Sequence, residues 1–510
     1  MNVMIMRKSV LTGCLVAALG AWGAKLQMVP PPGSANVPVD TRLSIVFPSA
    51  PTVNARGMIR IFDAADNSLV DSLDLSIPAG PTKGRPKEPK APYAAEPYNY
   101  YQPRRTNADC TPGTPSGTAA RDTSRYQLTI IGGFTDGFHF HPVIVRGDTA
   151  EIYPHNNMLR YGHTYYVTVT PDAFSLGKGR FRGIGAKDGW RFTVRANAPE
   201  ASRRELTVAR DGSGDFCTVQ GALDHVPDFA TDEWRIFVRN GDYEEIVYFR
   251  NKSNLTIEGE SREGVRIHYP QNEVFNPHPA DVSTNEWLGT FPSRRAPFMA
   301  DHCTDLTLCN FTVATDLRGQ AEGLLINGER TIVKDVTVIG DGDAIQLNGS
   351  VYLTNCLIEG GGDTILGRGP AFFRNCTLTS RGPFAWIRNG TATHGDVLVD
   401  CTLIGKSEHA VFARTNGTYP HAEFVLIDCK TKGIPARGWD GLERGPSTYV
   451  RYWEAGTRNL DDLTPADTSG RAKGSRVLDS EADAALIRLY STPSWVLGGW
   501  DPEGKLKIKN

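Results

Sequence analysis

Two aspartates occupy matched places in this sequence. Asp343, in IGDGDAIQL, lies seven residues after Val336, and Asp363, in IEGGGDTILGRG, lies seven after Cys356. If the two segments are neighbouring coils of one repeating structure, equal offsets stack the carboxylates roughly one strand spacing, ~4.8 Å, apart. Two like charges that close do not both ionise easily. One pKa rises while the other stays low, which yields an acid beside a nucleophile or base. The competing reading is structural, because Asp and Asn at coil turns also cap backbone amides. Two further side chains fit the chemical reading. Gln320, in GQAEGLL, precedes Asp343 by 23 residues, about one coil, and is suited to donate a hydrogen bond to a developing oxyanion. Arg414, in FARTNG, follows Cys401 by 13 residues and is suited to hold a neighbouring aspartate ionised through a bidentate pair.

The elements that would position these groups are repeats. DLTLCNFTV, TIVKDVTVIG, VYLTNCLIEG, AFFRNCTLTS, VLVDCTLIG and FVLIDCKTKG each carry Asn or Asp followed by an apolar residue: Phe311, Val336, Cys356, Cys376, Cys401 and Cys429. Their intervals of 25, 20, 20, 25 and 28 residues are close to one coil of a parallel β-helix. Stacked coils put these residues in one internal column, where a free cysteine behaves as a small hydrophobe. The column cysteines are therefore expected as buried thiols rather than disulfides, although an exported chain would ordinarily favour bridges. Before the first repeat, DFCTVQGALDHVP spaces Phe216, Val219, Leu223 and Val226 for a short amphipathic helix, with Asp215 as its expected N-cap.

Residues 25–197 read differently. Alternating β-branched and apolar runs, from PPPGSANVPVDTRLSIVF to DGWRFTVRA, predict antiparallel strands of a β-sandwich. Pro81–Pro115 is too rich in proline and charge for a core strand and is expected as a surface loop. FHFHP sets His139 and His141 on one strand face without a third metal ligand nearby, so packed or surface histidines are expected. MNVMIMRK followed by SVLTGCLVAALGAWGA reads as a signal peptide over residues 1–24, hence an exported protein, periplasmic or extracellular. LTGC offers a lipoprotein alternative at Cys14, though it lies at the start of the apolar run rather than its end. No later segment is long and apolar enough for a membrane span. With 55 basic and 57 acidic residues in 510, no global field favours nucleic acid, and a polyanionic substrate must be met by local arginines.

LTVARDGSGDFCTVQGALDHVP, NGDYEE, GQAEGLL, GDAIQL, GGGDTILG with the following FFRNC, and FARTNG resemble the motifs of the pectin methylesterases in order and approximate spacing, over about residues 204–460. The segments that open and close residues 25–197 resemble bacterial immunoglobulin-like modules. The resemblance implies an all-β protein: a right-handed parallel β-helix over 204–510, preceded by an immunoglobulin-like β-sandwich. It implies hydrolysis of galacturonate methyl esters in pectin without metal or cofactor, acting on methyl-esterified homogalacturonan or a related pectic oligosaccharide, and a monomer is expected. By motif, Asp363 would be the nucleophile, Asp343 the acid and then base, Gln320 the oxyanion donor and Arg414 the partner of Asp363. Trp439, in a Gly-Trp pair, matches the family's late tryptophan. Trp386, Arg368 and Arg388 are further candidates for substrate contact, with Arg381 and Lys406 as weaker ones.

This sequence also departs from the family pattern. Gly342 stands where the family has a glutamine before the acid, so one oxyanion donor is missing, and Thr415 and Asn416 replace a Pro-Trp pair. The insert His268–Pro297 would either wall the cleft or form a surface loop. Two other functions are compatible with the residues: a retaining β-helical glycoside hydrolase, since carboxylates about 5 Å apart would suit one, and a carbohydrate-binding β-helix that has lost catalysis. A lyase lacks its cluster of calcium-binding carboxylates, and a serine hydrolase lacks G-x-S-x-G.

Overall fold

The computed structural model describes residues 26–82, 126–132, 137–276, 294–443 and 449–508. The expected signal peptide with Cys14, most of the Pro81–Pro115 segment and the middle of the His268–Pro297 insert lie outside the described residues.

From Glu205 onward, polar side chains alternate with apolar ones that fill an interior. Leu206, Ile236, Ile257, Leu308, Val333 and Leu353 belong to one continuous core with Ile345, Ile365 and Phe373. The backbone solution is a parallel β-helix. Its strands form one 17-stranded sheet that folds around two sides of each coil and a nine-stranded sheet that forms another. The expected column is present: Phe311, Val336, Cys356, Cys376, Cys401 and Cys429 are all buried in that core. All seven cysteines among the described residues are free thiols. The residue before each column member explains the repeat: Asn310, Asp335, Asn355, Asn375, Asp400 and Asp428 all have φ between 51° and 66°. Each coil turns a corner there in the left-handed region, which Asn and Asp tolerate better than other side chains with a Cβ.

Two expectations are corrected at the edges of this module. The helix is Val219–His225, and its N-cap is Thr218, whose hydroxyl accepts from the amide of Gly221. Asp215 instead accepts from the amide of Thr207 and pairs with Arg203. The β-helix also stops short of residue 510. Ala484–Tyr490, Pro493–Val496 and Pro502–Ile508 are helices. They cover the outward residues Tyr352, Phe372, Val397 and Val425 with a second apolar cluster that includes Tyr490 and Val496.

Residues 26–194 hold a four-stranded and a five-stranded sheet, mostly antiparallel, around a separate core of Leu43, Ile45, Ile61, Val167, Trp190 and Phe192. This N-terminal module is bound firmly to the β-helix. Its Asp40 carboxylate accepts from the amides of Cys217 and Thr218 and from the Thr218 hydroxyl at the start of the helix. Its hairpin, Leu128–Ile130 with Gly137–His139, presses Phe138 against Tyr248 in a cluster with Ile131, Met299 and Leu325. His139 and His141 take part in this packing. His139 Nδ1 lies 2.7 Å from the Phe275 carbonyl, and His141 stacks on Phe275.

Candidate active site

In each coil the chain leaves the nine-stranded sheet, makes a short turn and enters the long one. Asp343 lies in the turn between Thr337–Ile339 and Ile345–Thr354, and Asp363 in the turn between Leu357–Gly360 and Ile365–Arg374. Ile345 pairs with Ile365 in register, so each aspartate precedes its paired strand by two residues. The matched offset in the sequence is a matched position in space. The turns themselves interlock, since the amides of Gly361 and Gly362 both donate to the Gly342 carbonyl, at 2.9 and 3.2 Å. Gly342 adopts φ +81°, and a Cβ there would lie 3.0 Å from the Gly319 carbonyl oxygen. A glutamine at 342 would therefore be strained and crowded in this turn.

The two aspartates face different partners. Arg414 grips Asp363 with both arms of its guanidinium: Nε donates to Oδ1 at 2.6 Å and Nη2 donates to Oδ2. Arg414 is itself fixed from behind. Its guanidinium carbon lies 4.2 Å from the centroid of Trp386, and the Tyr452 hydroxyl donates to its carbonyl at 2.7 Å. Asp343 is only 4% exposed and lies in a cluster that the sequence reading missed. Arg295 Nη2 donates to Asp343 Oδ2 at 2.9 Å, while its Nε and Nη2 donate to the fully buried Glu322 at 2.6 to 2.9 Å and Nη1 donates to Glu273 at 3.3 Å. Burial drives the Asp343 pKa up to about 7. Arg295 opposes this, Glu322 and Asp363 reinforce it, and Arg388 opposes it.

The remaining expected residues divide. Arg388 is half-buried beside this pair; its guanidinium carbon lies 4.3 Å from the centroid of Trp386, and its Nε has no hydrogen-bond partner. Arg368 Nη1 donates to the Arg388 carbonyl at 3.3 Å, and its guanidinium lies over Tyr419. Gln320 is exposed, with its Cα 3.4 Å from where a Cβ of Gly342 would be, so it overlies the turn that carries Asp343. Arg381 pairs with Asp341 rather than facing the aspartate pair. Trp439 is a correction. It is 0% exposed, stacked on Tyr452 and packed on Phe412 inside the β-helix, so it meets no substrate. Its neighbour Asp440 carries the outward position that pairs with Arg414.

Glu322 had one signal in the sequence: a carboxylate amid apolar neighbours in QAEGLL must find a cation if buried. Arg295, 27 residues earlier and near the end of the insert, had none.

Among the described residues one further group of potential ligands clusters, Glu244, His268 and Asp316. Its members are engaged with Arg146, Arg266 and Asp242, and none touches the aspartate pair.

The pectinesterase family model matches residues 205–415. Among characterised proteins, pectinesterase QRT1 of Arabidopsis thaliana is 31% identical over 179 residues, covering 33% of this chain and 46% of that protein. Pectinesterase 31 of the same plant is 29% identical over 162 residues, covering 31% of this chain and 51% of that protein. The chain thus spans about half the length of these relatives. Among solved structures, the pectin methylesterase from carrot aligns with a TM-score of 0.48 at 19% identity, over 59% of this chain and 95% of that one. The pectin methylesterase PemA from Erwinia chrysanthemi aligns at 0.46 and 19%, over 60% and 99%.

Proposed function

We propose that this protein is an exported carboxylic ester hydrolase that removes methyl groups from esterified galacturonate in pectin, including decorated pectic fragments. One observation carries the reading: two register-matched aspartates with opposite environments, Asp363 forked by Arg414 and Asp343 buried with its pKa near 7. The family match over 205–415 and the identities to plant pectinesterases support the choice of a pectic ester.

Asp363 attacks the ester carbonyl carbon, and the two N–H groups of Arg414 orient the attacking carboxylate. The carbonyl oxygen becomes an oxyanion, which needs donors. Gln320 supplies one. Gly342 supplies no side chain, and Arg388 takes over the missing place, because its charge reaches Asp343 and its Nε is unpartnered. As the tetrahedral intermediate collapses, protonated Asp343 gives its proton to the leaving methoxide, so methanol departs and an Asp363 anhydride remains. Asp343, now a carboxylate, takes a proton from water as that water attacks the anhydride. Hydrolysis frees the galacturonate and restores both aspartates. Burial suits Asp343 to the acid role, since a carboxyl with a pKa near 7 still holds its proton at mildly acidic pH. Trp386 presents a partly exposed aromatic surface beside Arg414, suited to a sugar ring.

The test is methanol release from highly methylated pectin by the mature chain and by Asp363→Asn. The expected result is release by the parent and a loss of roughly 10⁴-fold or more in the variant. No methanol from any pectic substrate, or full activity in the variant, would sink the assignment.

A further inference from the structure

Beyond the aspartate pair the strands of the long sheet run to a corner, and there the turns of five successive coils, near residues 303, 328, 349, 369 and 392, leave a groove of about 920 Å³. The helix Pro493–Val496 closes its far side with Trp495. The volume lies in the range of roughly 300–1,000 Å³ typical of sites for small organic ligands.

Asn348 is the side chain that marks it. Asn348 lines the groove and is 5% exposed, yet neither its Oδ1 nor its Nδ2 has a hydrogen-bond partner. A buried amide left in that state costs stability and is rare in folded proteins. The coils on either side show why it is unmet here. One coil earlier the register partner Asn327 gives its Nδ2 to the Asp301 carboxylate at 2.7 Å. One coil later the register partner is Gly369, which has no side chain to offer. The Asn348 amide therefore keeps a donor and an acceptor side by side, both unmet, in the wall of the groove. That pattern matches two adjacent hydroxyls of a sugar.

Two other walls fit the same ligand class. Trp495 is half-buried and held by His394, with ring centroids 4.2 Å apart, and by Tyr490 at 5.0 Å, so it is a fixed plate for the apolar face of a pyranose. Arg368 lines the groove, five residues beyond Asp363 on the continuing chain, and is suited to a carboxylate. Arg451 and His394 are both tied to the buried Glu423 behind it.

We propose that this groove is a second carbohydrate subsite, which holds a uronate-bearing stretch of the same glycan whose ester reacts at Asp363. Asn348 reads a vicinal diol, Trp495 stacks a ring and Arg368 pairs with a carboxylate. The identity of the glycan rests on the activity proposed above, whereas binding in the groove does not need that activity to be measured.

The experiment titrates the full chain and Asn348→Ala with an unmethylated galacturonate hexamer, and follows methanol release from methylated pectin and from the methyl ester of single galacturonate. Asn348→Ala is expected to weaken hexamer binding about tenfold and to raise KM for pectin by a similar factor, with kcat and the single-sugar reaction unchanged. Its thermal midpoint should not fall, because the amide has no protein partner to lose. Trp495→Ala should weaken the hexamer in the same way. The proposal is overturned by unchanged hexamer affinity, by equal losses on the polymer and the single sugar, or by a lowered midpoint, which would mark Asn348 as structural. Equal affinity for a neutral oligosaccharide of the same length would overturn the acidic class. If no substrate releases methanol, the proposed activity fails while the titration still decides the groove.

Discussion

One outward column runs along the long sheet through Tyr248, Met299, Leu325, Gln346, Leu366, Trp386, Arg414 and Asp440, each in register with the next. Its first five side chains are buried, and its last three are partly exposed. The backbone is the same along its length. What differs is what lies on top: the hairpin of the N-terminal module with Tyr269 and Phe275 covers Tyr248, Met299 and Leu325, while nothing comparable among the described residues covers Trp386. The aspartate pair sits at the boundary, with Asp343 toward the sealed side and Asp363 toward the open one. This explains how two identical side chains at equivalent positions take different roles. Position in the repeat gives both the same geometry, and the neighbouring cover gives them different solvation.

The strongest way to break the contrast is to remove the cation on the sealed side. Arg295→Met would leave Glu322 and Asp343 buried without their guanidinium, and breaking a buried ion pair from one side costs about 3–5 kcal/mol. Unfolding in denaturant should show that loss. The double variant with Glu322→Leu should recover most of it, since an uncompensated charge would no longer be buried. A stability unchanged by the single variant would mean that the cluster does not hold Asp343 as described.

Phe138→Ala attacks the cover directly. Phe138 is fully buried between Tyr248 and the Arg294 guanidinium, 5.4 and 4.8 Å away, and truncating a buried phenylalanine costs about 3–5 kcal/mol. The expected result is a lower unfolding midpoint with faster amide exchange around Tyr248 and Met299 and unchanged exchange around Trp386. Equal acceleration at both places would show that the two ends are not separately supported.

These two residues also mark what the sequence could reveal. Coil period locks register, so the column from Phe311 to Cys429 and the offset of Asp343 and Asp363 could be read directly. A buried column also made free thiols the better expectation. Arg295 could not be found the same way, because it returns from an insert and has no place in the repeat. Trp439 was misplaced although its parity was available: if Arg414 points outward and pairs with Asp440, the residue before Asp440 points inward. The covering of the sheet by the N-terminal hairpin depends on how two modules dock, which no periodicity records. Gly342 was legible only as a missing glutamine; the structure supplies the reason, a turn at φ +81° whose carbonyl receives two amides of the next coil.

On the open side, Arg388→Ala sharpens the comparison without disturbing the cover. If Arg388 stands in for the absent glutamine as oxyanion donor, kcat should fall about 10²-fold with KM nearly unchanged, a loss of about 2.7 kcal/mol in transition-state stabilisation. Arg388→Lys should recover part of it, because the charge returns without the fork. A pure rise in KM would instead assign Arg388 to substrate carboxylates.

The last effect expected is a pH dependence to which the sealed side contributes through Asp343. In the folded chain the Asp343 pKa is about 7, against an ordinary value of 3.8, and the main cause is burial. The folded state therefore holds a proton that the unfolded chain has released between those two values. Since the folded state binds more protons in that window, stability falls as pH rises from about 4 toward 7, and the contribution levels off beyond it. The acid step has the same sign: the fraction of Asp343 carrying a proton drops about tenfold per unit above its pKa, so kcat should decline above pH 7. Asp343→Asn should lessen the stability slope across this window while abolishing turnover; Asp40, Glu245 and Asp396, whose pKa values burial also raises, keep the remainder. Asp363 and Arg414 lie on the exposed side and remain in place in that variant, so a slope left unchanged in Asp343→Asn would remove burial of Asp343 as the source of the asymmetry.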